Sequence, residues 1–102
     1  MLVPQVVPEP YEAHVKESFA VFASDGSTSE LVLDEVTRKI EDDVQRCFVL
    51  RFSGAKPVLP QGMYRIAHGT LGEFELFLVP LQPRRDRAFY EAVFNLLKEG
   101  TS

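Results

Sequence analysis

Apolar side chains recur at every second position in short runs that end at proline or glycine, and this rhythm constrains the fold more than any other feature. From Glu73 to Val79, Phe74, Leu76 and Leu78 fall on one face, with Glu73, Glu75, Phe77 and Val79 on the other. A period of two belongs to a strand, whose successive side chains point to opposite sides of a sheet. Cys47-Phe48-Val49-Leu50-Arg51-Phe52 repeats the pattern, is dense in β-branched and aromatic residues, and groups Phe48, Leu50 and Phe52. Met63 to His68 places Tyr64, Ile66 and His68 on a common face, and His68-Gly69-Thr70-Leu71-Gly72 joins it to the Glu73 strand as a hairpin. Ser18 to Ala23 groups Phe19 with Val21 before Ser24-Asp25-Gly26-Ser27 supplies turn chemistry.

Two segments carry both rhythms. In residues 28 to 44, Leu31 and Leu33 alternate, whereas Leu33, Val36, Ile40 and Val44 recur at helical spacing. Val32, Thr37 and the preceding Asp-Gly favour a strand, with Glu41-Asp42-Asp43 as the loop that closes the pair. In residues 87 to 98, Phe89, Val93, Leu96 and Leu97 form a helical stripe, while Tyr90, Ala92, Phe94 and Leu96 alternate; periodicity alone slightly favours the helix. Between strands, Leu59-Pro60-Gln61-Gly62 has proline and glycine where a tight type I turn wants them.

Short connections imply antiparallel pairing, so the expected fold is mainly β: an antiparallel roll or small barrel of about six strands with one short N-terminal helical turn. The turn is expected in Pro10-Tyr11-Glu12-Ala13-His14-Val15. Closure would explain why the strand ending in Phe77 and Val79 is apolar on both sides; otherwise Phe77 belongs to an interface. Residues 1 to 10 hold three prolines and read as an extended arm, residues 11 to 98 as one domain, and residues 99 to 102 as a tail. A chain of 102 residues, 45% apolar with eight Phe, can fill one modest core without disulfides or a metal.

A formal charge of −4 argues against a surface built to neutralise phosphates, so nucleic acid is not an expected partner. Neither a secretory signal nor an apolar run of about 20 residues is present, so a membrane is not expected as a partner and a cytoplasmic location is. Cys47 is the lone cysteine and opens an apolar strand, the usual setting of an inert core thiol.

His14 and His68 stand 54 positions apart with no zinc-ligand spacing around them, and His68 reads as a turn-stabilising or partly buried histidine rather than a ligand or base. No nucleophile elbow, phosphate loop or dinucleotide fingerprint occurs, so no cofactor, metal or catalytic residue is expected. Glu73 and Glu75 project together from a strand and read as a solvated face. Arg84, Arg85 and Arg87 cluster in the Pro-rich loop from Pro80 to Arg87, from which they could grip an acidic partner surface.

Leu59-Pro60-Gln61-Gly62-Met63-Tyr64, then His68, Leu71-Gly72, Leu76-Phe77-Leu78-Val79-Pro80 and Tyr90-Glu91-Ala92-Val93-Phe94-Asn95 together resemble an uncharacterised family of bacterial domains of about this length. The likeness spans residues 17 to 95 and is specific over residues 59 to 95. It implies a closing strand at residues 88 to 95, no established enzyme activity, and an association with phage-tail-collar-like proteins. The chain departs from the pattern in Leu81-Gln82-Pro83, where Gly-Pro is usual, and in the added Leu96-Leu97-Lys98-Glu99, which lengthens the helical stripe.

The expected function is a non-catalytic structural or protein-interaction module, an accessory part of a phage-tail-like or surface-fibre assembly. It would contact a protein partner or itself through Arg84, Arg85, Arg87 and Phe77. The alternative is a small ligand-binding barrel or hydrolase using Tyr64, His68 and Glu75.

Overall fold

The structure is a computed structural model and describes residues 5–97. A short helix α1 (Glu9–Glu12) precedes six strands: β1 (Ser18–Phe22), β2 (Thr28–Glu41), β3 (Gln45–Ala55), β4 (Gly62–His68), β5 (Gly72–Pro80) and β6 (Arg87–Leu97). All neighbours are antiparallel, and the strands close into a barrel in the order β1-β2-β3-β6-β5-β4. The expected small antiparallel barrel is therefore the fold. Phe19, Leu31, Leu33, Phe48, Leu50, Phe52, Ile66, Leu78 and Tyr90 fill its interior and are almost wholly buried. At about 25 cal/mol per Å² of apolar surface removed from water, burial of these side chains is the main favourable contribution to folding.

Both ambiguous segments are strands, and β2 shows why its spacing imitates a helix. The β2–β3 register slips between Leu33 and Glu35, and again between Arg38 and Ile40. Each slip inserts one extra residue, as a β-bulge does. Leu33 opposes Phe52 and Val36 opposes Leu50, so two residues three apart both face inward. The helical interval from Leu33 to Val36 is thus an alternating strand interrupted by a bulge, while Ile40 faces outward and Val44 lies beyond the strand. In β6 the register against β3 runs unbroken from Arg87 to Leu97, and Ala88, Tyr90, Ala92 and Phe94 face the core. Tertiary pairing overrides the apparent stripe made by Phe89, Val93 and Leu97.

Beyond Val32 and Leu33, β2 leaves β1 and pairs only with β3 among the described residues. The outer halves of β2, β3 and β6 consequently project as a three-stranded lobe. Its inner face is covered by the N-terminal segment, which differs from an extended arm: Pro8 is buried and α1 begins at Glu9, one residue before the expected start. Tyr11 is wholly buried against Phe48, Phe74 and Phe94, at centroid distances of 6.1, 6.1 and 5.8 Å. Its hydroxyl donates to the Gln5 carbonyl at 2.8 Å, and burial raises its pKa. Arg38 clamps the helix from the lobe, donating to Glu12 at 2.7 and 2.8 Å and to Glu9 at 3.2 Å.

Three local expectations change. Leu59-Pro60-Gln61-Gly62 bends without closing a hydrogen-bonded turn. It is fixed instead by tyrosines: Leu59 N–H donates to the Tyr90 hydroxyl at 2.8 Å, and the Tyr64 hydroxyl donates to the Pro60 carbonyl. Cys47 is only partly buried and lies on the outer side of β3, opposite Ile40 and Asn95, because the inward positions are Phe48, Leu50 and Phe52. The tail expected at residues 99 to 102 and the first residues of the arm lie outside the described residues.

Candidate functional site

The alternative constellation is not assembled. Tyr64 and His68 point inward from β4, whereas Glu75 stands outward on β5 opposite Arg65. The parity of the strands separates them, since Glu75 sits between the inward-facing Phe74 and Leu76.

His68 meets different partners. After α1 the chain turns back, and Lys16 N–H and the Glu17 carbonyl bond the backbone of Leu33 on β2, at 2.6 and 3.1 Å. This brings Glu17 beside the end of β4, where its Oε1 lies 2.8 Å from His68 Nε2 and 2.9 Å from His14 Nδ1. The two imidazole rings are 4.5 Å apart, and the other side of His68 packs on Phe19 at 4.5 Å. His68 is 6% exposed while Glu17 is 48% exposed, so the cluster sits at the barrel rim. Hydrogen bonds from His68 and then His14 hold the Glu17 carboxyl below its usual value.

The ligand atoms of His14, Glu17 and His68 lie within 4.8 Å of one another, a spacing that would suit a metal ion. The hydrogen bonding does not suit one. His68 Nδ1 accepts from the backbone N–H of Thr70 and of Leu71, at 3.1 and 3.2 Å. With that lone pair used, the ring proton sits on Nε2 and is donated to Glu17. A metal-bound histidine has the opposite arrangement, donating its second N–H to an outer partner while the other nitrogen binds the ion. The cluster is a clasp joining the segment after α1 to the β4–β5 turn, and His68 stabilises that turn. Sequence spacing hid the clasp because its members come from three separated stretches of chain.

The arginine cluster is divided. Arg84 and Arg87 pair across a two-residue turn, exchanging backbone bonds of 2.9 and 3.2 Å, and Arg85 adopts a left-handed φ of 53°. The Arg87 guanidinium donates to Ser53 Oγ at 2.9 Å, satisfying a hydroxyl only 3% exposed. Arg84 and Arg85 are exposed. A shallow cavity of about 400 Å³ beside this turn is lined by Arg84 and Arg51 together with the carboxylates of Asp34 and Glu35.

Phe77 belongs to an uncharged surface. It is 47% exposed and lies directly opposite Met63, itself 62% exposed. Val79 pairs with Glu91, so two residues further along the same outer face β5 presents Phe77 and β6 presents Val93, which is 53% exposed. Val93 pairs with Val49, and beyond it the outward positions of β3 and β6 are Cys47, Asn95, Gln45 and Leu97. No charged side chain stands among them in a chain of which 25% is charged. Charged rows flank the strip: Glu35 and Arg51 on one side, Arg65 and Glu75 on the other.

Residues 7–94 match the family described as a domain of unknown function, DUF6916. The chain belongs to the DUF6916 family. That description carries no activity or partner to set beside the geometry. No curated protein and no solved structure matches the chain. No helix among the described residues of this DUF6916 chain is long and apolar enough to cross a membrane.

Proposed function

We propose that this chain is a non-catalytic protein-interaction module, an accessory component of a phage-tail-like or surface-fibre assembly. The observation that carries the reading is the exposed apolar pair Met63 and Phe77 on the outer face of β4 and β5, with exposed Val93 on the same outer face of β6. Contiguous exposed apolar surface bounded by polar residues marks contact sites on folded proteins. Phe and Leu side chains fill the barrel interior, and the cavity of about 650 Å³ that Tyr64 lines includes neither His68 nor Glu75, which supports the same reading. Arg84 and Arg85 offer a second, cationic contact region at the β5–β6 turn. The assembly setting rests on the motif resemblance over residues 59 to 95.

The test is site-specific photo-crosslinking in the source cells. A crosslinking side chain at position 77 is expected to give one discrete protein adduct, and the same group at exposed Glu30 none. Equal labelling at both positions, or no adduct at 77, would overturn the reading.

A further inference from the structure

We infer that the edge of β6 from Val93 to Leu97 is a strand-pairing site for a second copy of this chain; this deepens the interaction-module reading and rests on it. The direction of the backbone groups carries the argument. Leu81 N–H donates to the Phe89 carbonyl at 2.8 Å, so the odd-numbered amides of β6 point toward β5. In an antiparallel ladder the alternate residues point the other way, here toward β3. The β5–β6 ladder ends at Val79 and Glu91. Beyond that pair the backbone groups of Val93, Asn95 and Leu97 face the opening between the strands, with no ladder partner among the described residues. Tyr11 lies beneath this opening, touching Phe74 of β5 and Phe94 of β6.

Exposed edges are normally protected by lysine, proline, a bulge or a covering element. This stretch of β6 has none of the first three, and its register against β3 is continuous. Its outward side chains, Val93, Asn95 and Leu97, are neutral, with Leu97 80% exposed. The facing rim on β5 carries Glu73 and Glu75, so pairing that rim with itself would oppose carboxylates. The β6 rim opposes nothing alike in charge. Antiparallel pairing about Asn95 sets Val93 against Leu97 of the partner subunit, apolar to apolar, and Asn95 against Asn95 of the partner subunit. Each seam-facing N–H then meets a carbonyl.

Sedimentation velocity on the full chain, from micromolar to submillimolar concentration, tests this. The wild type is expected to approach twice the monomer mass as concentration rises. Asn95→Pro removes an N–H that points away from β3, a position where a strand tolerates proline. Val93→Lys instead adds an edge charge at an exposed position and keeps every backbone group. Both variants should weaken association at least about tenfold, while the far-UV spectrum of Val93→Lys, and its thermal midpoint at concentrations where both proteins are monomeric, stay at wild-type values. A wild type that remains monomeric throughout overturns the inference, as does a dimer unmoved by both substitutions. Failure of the edge is separable from failure of the module: a dimer dispersed by Met63→Lys, or a monomer that still gives the adduct at position 77, leaves the module reading standing and removes the edge. An adduct to a different protein that disappears with Asn95→Pro assigns the edge to a foreign strand and also overturns the second-copy claim.

Discussion

His68 and Glu17, 51 positions apart in the chain, meet at 2.8 Å, with His68 Nε2 donating to the carboxylate. The bond links the strand before the β4–β5 turn to the segment that leads from the helix into β1. The carboxyl of Glu17 titrates below its ordinary value of 4.5, first through His68 and then through His14. A depressed carboxyl pKa stabilises the folded state in full above the unfolded value and loses that contribution as pH falls through the folded value. Urea midpoints of the wild type should therefore exceed those of Glu17→Gln above pH 4.5, with the gap closing at lower pH. A gap independent of pH would refute this role.

Tyr11 is the N-terminal segment's anchor. Tyr11→Ala empties a site wholly shielded from solvent and should cost about 3–5 kcal/mol, whereas Tyr11→Phe loses only the bond to Gln5 and should cost about 1 kcal/mol. Denaturant unfolding of the two variants measures the difference; equal losses would show that the ring is not what holds the helix down.

Gly54 is required by a close approach of strands. A Cβ there would lie 2.5 Å from Leu31 Cδ2 and 3.0 Å from the Glu30 carbonyl, and Leu31 is itself locked in the core. Gly54→Ala should destabilise by about 1–3 kcal/mol through overpacking. Gly69→Ala, with open space around it, is the control and should leave the thermal midpoint nearly unchanged.

Tyr90 supplies the acceptor for the Leu59 N–H. Tyr90→Phe should cost about 1–2 kcal/mol by leaving that donor unpaired. It should also speed hydrogen exchange at Leu59 while leaving the amide of Leu50 slow. Unchanged exchange at Leu59 would mean that water replaces the hydroxyl without loss.

The barrel was legible because strand parity is local. Phe48, Leu50 and Phe52, or Phe74, Leu76 and Leu78, announce their common face without reference to the rest of the chain. The bulges in β2 were not legible, because an inserted residue turns a spacing of two into three and copies a helical interval. The clasp was hidden for a different reason. His14, Glu17 and His68 become neighbours only once Leu33 has fixed the segment after α1 and the barrel has closed. Arg87 looked like a free contact residue from its Pro-rich surroundings, yet the register that sets it opposite Ala55 also delivers its guanidinium to Ser53. Phe77 was visible from the start as an apolar residue on the wrong side of its strand. Its neighbour Met63, and Val93 on the same outer face, needed the sheet order to find them.

On the proposed function, protein occupies the uncharged surface around Met63 and Phe77 in the cell. The most direct measurement is the sedimentation of the chain at its natural level in freshly broken source cells, compared with a Met63→Lys/Phe77→Lys variant. Wild-type chain should sediment in a discrete species well above monomer mass, and the variant, folded by its far-UV spectrum, should sediment as a smaller one. Identical sedimentation of the two would contradict the account.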